Sequence, residues 1–97
     1  MKITTKSGFA CEIDEKKYKD WRFIEYLAQM DSEDESEQLF GTTKAVSFLF
    51  GKEGKEALMK HVSDKDGNIN AAKVMSEFKE VLTLTSTELK KSQSSQE

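Results

Sequence analysis

Several residue types are rare in this chain, and each shortage excludes a class of function. There is no proline, and because the 97 residues contain neither an internal repeat nor a linker-like stretch, we expect a single domain. Cys11 is alone, which excludes an intramolecular disulfide or a zinc site of several cysteines and indicates a reducing compartment. Arg22 is the only arginine, so the guanidinium groups that read bases and phosphates are nearly missing.

The distribution of charge and of apolar residues excludes further classes. The 15 basic and 18 acidic residues are interspersed and give a formal net charge of −3. Since nucleic-acid affinity comes mostly from clustered Lys and Arg, we expect no DNA or RNA partner. No apolar run approaches the roughly 20 residues of a membrane span, and the start of the chain lacks the apolar block of a signal peptide. We therefore expect a cytoplasmic protein with no membrane partner.

The spacing of the apolar residues predicts an α+β fold that is mostly α. An N-terminal β-hairpin over residues 2–13 is predicted from alternating apolar positions around a Ser-Gly turn: Ile3, Phe9, Cys11 and Ile13. A lone hairpin is marginal in water, so it must pack on the three to four helices that follow. These are predicted over residues 17–30, 38–50, 52–62 and 70–84, with residues 85–97 as a fraying helix end and a disordered tail.

Helical periodicity also predicts which side chains point inward. For the first helix these are Trp21, Ile24, Leu27 and Ala28, and Phe23 and Met30 widen the apolar face to about half of the circumference. For the second they are Leu39, Val46, Leu49 and Phe50, with Gly51 suited to end the helix. For the third they are Leu58, His61 and Val62. The last helix is capped by Asn70 and has the clearest stripe, with Leu89 as a further candidate beyond it: Ala71, Val74, Met75, Phe78, Val81 and Leu82.

One loop between two predicted helices imitates the middle of an EF-hand calcium site. If Gly67 takes the sixth position, Asp64 and Asp66 take the third and fifth. Position one then falls on Val62 and position twelve on Lys73, so one carboxylate is missing and a cation replaces the bidentate glutamate. We expect a turn without a metal, and keep a degenerate calcium-binding module as an alternative.

The remaining reactive groups do not form a recognisable catalytic set. Five carboxylates within residues 31–37 are expected to form a solvated loop at a helix N-terminus, where negative charge is favourable. Cys11 and His61 could form a thiol–imidazole pair, but no third orienting group or oxyanion hole is evident. We interpret them as a packed cysteine and a partly buried histidine. The expectation is a non-enzymatic protein without cofactors.

Large apolar side chains remain after the inward faces are assigned. Two interpretations stay open: these side chains fill the core of a small domain, or they form a hydrophobic groove for a helix of a partner protein. The candidate groove residues are Phe23, Tyr26, Met30, Phe40 and Phe48.

The order of motifs along residues 1–84 adds a resemblance to a known family. The motifs are the opening Met1-Lys2-Ile3-Thr4 with Ser7-Gly8-Phe9, then Asp20-Trp21, then Phe48-Leu49-Phe50-Gly51-Lys52-Glu53-Gly54, then His61-Val62, then Asp66-Gly67-Asn68-Ile69 before an amphipathic helix. In this order the chain resembles the small tail assembly chaperones of long-tailed phages and prophages of Gram-positive bacteria.

The resemblance implies a function in binding rather than in catalysis. A protein of this family coats the helical tape measure protein, keeps it soluble before tail assembly and helps to recruit tail tube subunits, without entering the mature virion. The expected partner is therefore the tape measure protein, with the tail tube protein and self-association as further options. A different interpretation is a small mobile-element-encoded adaptor or inhibitor that binds one host protein.

Overall fold

The computed structural model describes residues 1–94 and confirms the α+β, mostly α class, with a small hairpin packed on helices. Two antiparallel strands open the chain, and all later elements are helical. The elements are β1 (Lys2–Thr4), β2 (Ala10–Glu12), α1 (Glu15–Tyr18), α2 (Trp21–Met30), α3 (Glu35–Val62) and α4 (Ala71–Ser94). None of the helices within residues 1–94 combines the length and the apolar character needed to cross a membrane.

The hairpin places every second side chain in the core, as its alternating pattern predicts. Ile3 pairs with Cys11 across the two strands, and Ile3, Phe9 and Ile13 are buried. The Phe9 ring meets the Phe50 ring of α3 edge to face, with the centroids 6.0 Å apart. These contacts fasten the hairpin to the helices and so stabilise a two-stranded sheet that would be marginal alone.

The helix predicted over residues 17–30 is two helices, because Asp20 caps a new one. The Asp20 carboxylate accepts a hydrogen bond from the backbone N–H of Arg22 at 2.8 Å, while its own backbone is extended. An N-cap aspartate satisfies a donor that the first helical turn leaves free. Asp20 therefore ends the short α1 segment and starts α2.

The inward face of α2 differs from the predicted one. Trp21 and Ile24, both predicted to point inward, are 70% and 46% exposed, and Ala28 is exposed as well. Phe23, predicted at the margin of the apolar face, is fully buried. The apolar arc covers about half of this helix, so periodicity alone allows either edge to face the core. Packing against α3 selects the edge that carries Phe23.

Gly51 separates two helical segments, as predicted, although together they form one element, α3, with a bend at this residue. Gly51 has φ +70° and ψ −177°, a backbone conformation open almost only to glycine, and the chain is helical on both sides of it. At its other end α3 begins at Glu35, earlier than predicted, because the Asp34 carboxylate accepts hydrogen bonds from Ser36 N and Glu37 N at 2.9 and 3.2 Å. Leu39, predicted to point inward, is 50% exposed.

The last helix is longer than predicted: α4 continues past residue 84 to Ser94. In the segment predicted to fray, Thr85 and Thr87 donate their hydroxyls to backbone carbonyls four residues earlier, Val81 O at 2.7 Å and Thr83 O at 3.0 Å. Thr85 and Leu89 are buried, so this part of the helix also packs. Residues 95–97 of the predicted disordered tail lie outside the described residues.

Candidate functional site

The five side chains predicted to form a groove are not all exposed. Phe23 is fully buried in the core, where its ring stacks on Phe48 at 6.2 Å, so its prediction as a partner-binding residue is wrong. Tyr26, Met30 and Phe48 are half-buried and pack against the core. Phe40 is 58% exposed. The aromatic surplus inferred from the sequence is thus used largely inside the domain.

An open apolar groove lies elsewhere, between the first half of α3 and the start of α4. We call it the α3–α4 groove. It has a volume of about 220 Å³, below the ~300–1,000 Å³ of typical small-molecule sites. It is lined by Leu39, Thr42, Thr43, Ile69, Ala71, Val74 and Met75.

The lining of the α3–α4 groove is aliphatic even where threonines contribute to it. Thr42 donates its hydroxyl to Gln38 O at 2.7 Å, and Thr43 donates to Leu39 O at 2.8 Å. Because these hydroxyls are bonded within their own helix, the threonines need no polar partner from a ligand. The groove has no charged lining residue. Its chemistry therefore suits apolar side chains rather than a polar cofactor.

Two of the groove residues are large aliphatic side chains left about half in water. Leu39 is 50% exposed and Ile69 is 46% exposed. Burying the exposed half of each would stabilise a complex by about 1 kcal/mol per side chain. This gain is available only when a partner covers the groove.

Ile69 lines the groove from the loop of residues 63–70, whose sequence resembles the middle of an EF-hand calcium site. The loop closes on itself: Ser63 and Ile69 form an antiparallel bridge, and the Asp64 carboxylate accepts hydrogen bonds from Asp66 N and Asn68 N at 2.9 and 3.0 Å. That carboxylate is occupied by backbone N–H groups of its own loop. Within residues 1–94 no three His, Cys, Asp or Glu side chains are grouped so that they could hold a metal ion.

The sequence did not predict that the two large exposed side chains of the groove, Leu39 and Ile69, would face solvent. Leu39 fits the inward stripe of its helix, and Ile69 stands alone between a turn and the Asn70 cap of α4. A single apolar residue between two polar turn residues was the available signal for Ile69. No comparable signal marks Leu39, since its exposure depends on how α4 packs beside α3.

A second, polar cleft of about 260 Å³ lies where the hairpin turn meets α3 and α4. Its centre is Ser7, whose hydroxyl lies 2.9 Å from His61 Nε2 and donates to Glu77 Oε1 at 2.7 Å. Thr5 donates to the same carboxylate oxygen. In a hydrolytic triad the histidine stands between nucleophile and carboxylate. Here the serine stands between the other two, so the carboxylate does not orient the imidazole.

The electrostatics of the polar cleft favour a charged Glu77. Burial raises the pKa of Glu77, but hydrogen bonds from Ser7 and Thr5 and the neighbouring His61 outweigh that effect, and the net pKa lies below its ordinary value. A carboxylate that accepts two hydroxyl protons is a strong acceptor. Through Ser7 the hairpin turn is hydrogen-bonded to Glu77 of α4 and to His61 of α3, so the cleft joins the hairpin to both long helices.

The cysteine and histidine are not arranged as an activated pair. Burial, aided by the negative charge of Glu12, raises the pKa of the Cys11 thiol to about 11, so it stays protonated at neutral pH. His61, predicted to point inward, is exposed, with its ring centroid 5.5 Å from that of Phe9. His61 covers the hairpin core from outside and is held there by Ser7.

Comparison of the chain with protein family models, with curated proteins and with solved structures finds no match.

Proposed function

We propose that this protein is a phage tail assembly chaperone that holds helical segments of a tape measure protein in the α3–α4 groove. The observation that carries the proposal is the pair of half-exposed side chains Leu39 and Ile69 facing one aliphatic groove. The resemblance of the motif order over residues 1–84 to that family also supports the proposal, and the groove is the surface that we assign to the partner.

The shape of the groove suits a helix. A helix that docks in a groove inserts apolar side chains spaced at i, i+3, i+4 and i+7. Two helices form the walls here, and the aliphatic lining offers no directional polar contact that would select one exact sequence. Such a surface binds many related amphipathic segments in turn, which a long helical partner requires.

The small volume of the groove also suits a chaperone. About 220 Å³ accommodates side chains of one short segment and not a whole helix face. The contact area is then below that of stable complexes, and binding is weak and reversible. Met75 contributes a flexible side chain that adapts to different neighbours. Weak binding allows the chaperone to leave when tail tube subunits arrive.

Co-expression with the cognate tape measure protein tests this function. We expect the wild-type chain to bring the tape measure protein into the soluble fraction, and Leu39→Asp or Ile69→Asp to abolish that effect. Ile24→Asp is the matched control, because Ile24 and Ile69 are both 46% exposed and Ile24 lies on α2, outside the groove. A tape measure protein that stays insoluble with the wild-type chain would contradict the proposal.

The same assay separates the chaperone from an adaptor or inhibitor of one host protein. An adaptor would bind its single target through the groove and leave the tape measure protein insoluble. In that case the Leu39→Asp variant would no longer bind the host protein. The tape measure protein would then be the wrong partner, while the groove would remain the binding surface.

A further inference from the structure

An unusual density of negative charge lies at one end of the α3–α4 groove. Five of the seven residues from 31 to 37, just before and within the first turn of α3, carry carboxylates, and all five are exposed. We call them the acidic cluster: Asp31, Glu33, Asp34, Glu35 and Glu37. Glu35 precedes Leu39 by four residues on the same helix, so the two side chains lie on one face, a single turn apart.

The acidic cluster is not neutralised within the described chain. In residues 1–94 the ion pairs are Met1–Glu12, Arg22–Asp20 and Lys91–Glu88, and none includes a member of the cluster. Asp34 accepts backbone N–H groups as the N-cap, and Glu37 accepts a hydrogen bond from Gln29. The partial charge at a helix N-terminus is only about +0.5, so most of the five negative charges remain unbalanced.

We infer that the occupant of the α3–α4 groove is an amphipathic helix whose apolar stripe ends in lysine or arginine, docked with that basic end beside Glu35. The inference rests on the proposed function and specifies which segments of the partner are held. Apolar side chains fill the groove between Leu39 and Ile69, while the basic end meets the acidic cluster. Charge complementarity of this kind selects among partners and sets the direction of docking.

Two synthetic helical peptides test the inference. Both have the same leucine stripe and blocked termini; one ends in three lysines and the other in three glutamates. Binding is measured by fluorescence anisotropy at 20 mM and 500 mM salt. We expect the lysine peptide to bind at least tenfold more tightly at low salt and to lose most of that advantage at high salt, because salt screens exposed charges.

Variants of the protein locate the effect. Glu33→Gln with Glu35→Gln should remove most of the preference, and Glu33→Lys with Glu35→Lys should reverse it. Glu53→Gln with Glu56→Gln is the matched control, since both residues are exposed on the second half of α3 and neither lines the groove. Circular dichroism checks that each variant is folded. Amide chemical shifts should change at Leu39, Ile69 and Val74.

The outcomes distinguish this inference from the proposed function. Equal affinity for the two peptides, no binding of either, or shift changes confined to the outer face of α2 around Trp21 and Ile24 would each overturn the basic-helix inference. Solubilisation of the tape measure protein is scored separately by co-expression, so the chaperone function can survive the loss of this inference. If instead the peptides behave as expected and the tape measure protein stays insoluble, only the identity of the partner fails.

Discussion

Gly41 of α3 lies directly against the backbone of Met30 at the end of α2. A Cβ atom at position 41 would be 2.3 Å from the Met30 amide nitrogen and 2.8 Å from its Cα, far inside normal contact distance. The α2 end and the α3 start therefore meet backbone to backbone. This close approach lets a ten-residue helix pack firmly on α3 although much of its own apolar surface, including Trp21 and Ile24, faces water.

Gly41→Ala should destabilise the protein by about 1–3 kcal/mol, because the clashing atoms are backbone and the helices must separate. Urea unfolding followed by circular dichroism measures the change. Ser47→Ala is the control: Ser47 is exposed on the same helix, where alanine is at least as good a helix former. If both variants are as stable as the wild type, the backbones of α2 and α3 do not approach each other this closely.

Gly51→Ala should cost about 1–3 kcal/mol for a different reason. Open space surrounds position 51, so no clash is expected, but φ +70° with ψ −177° is strained for an L-residue. Lys52→Ala, at an exposed neighbouring position, should change stability little. D-alanine introduced at position 51 by chemical ligation should retain wild-type stability, because the mirror-image backbone is relaxed. Destabilisation by D-alanine as great as by L-alanine would disprove the bend.

Asp20 should make the stability of the protein depend on pH in the acid range. Hydrogen bonds from the Arg22 side chain and backbone lower the pKa of Asp20 to about 2, against about 3.9 in an unfolded chain. A depressed pKa stabilises the fold above the unfolded value, and the effect is lost as pH falls towards 2. Asp20→Asn keeps an N-cap but removes the ion pair. The urea midpoints of wild type and variant should differ at pH 5 and converge by pH 2; a constant difference would refute this role.

Ser7→Ala should loosen the hairpin without unfolding the helices. The substitution removes the bonds that join Ser7 to Glu77 and His61, at a cost of about 1 kcal/mol. Hydrogen exchange of the β1 and β2 amides should accelerate more than exchange in α4. Ser76→Ala, at an exposed position lining the same cleft on α4, is the control. If the β1 and β2 amides exchange as slowly in Ser7→Ala as in the wild type, the bonds from Ser7 to Glu77 and His61 do not stabilise the hairpin.

Local features of this protein could be predicted from the sequence because their causes lie within a few residues of one another. The hairpin follows from the alternation of Ile3, Phe9 and Ile13 and from a turn that contains glycine. The bend at Gly51 follows from a residue free of a Cβ, and the start of α4 follows from the Asn70 side chain, which accepts a hydrogen bond from Lys73 N at 3.1 Å. Each involves backbone groups that are neighbours in the chain.

Only the tertiary structure decided which apolar faces are covered. On α2 the apolar arc is wide enough for either edge to face inward, and contact with α3 buries Phe23 and exposes Trp21. On α3, Leu39 belongs to a regular stripe, yet the packing of α4 leaves it beside Ile69 in an open groove. Burial depends on contacts between segments that are distant in the sequence. The periodicity of apolar residues indicates only that one face of a helix is apolar and not whether another element covers it. Position 39 could therefore be recognised as apolar from the sequence, and its place in a binding surface only from the fold.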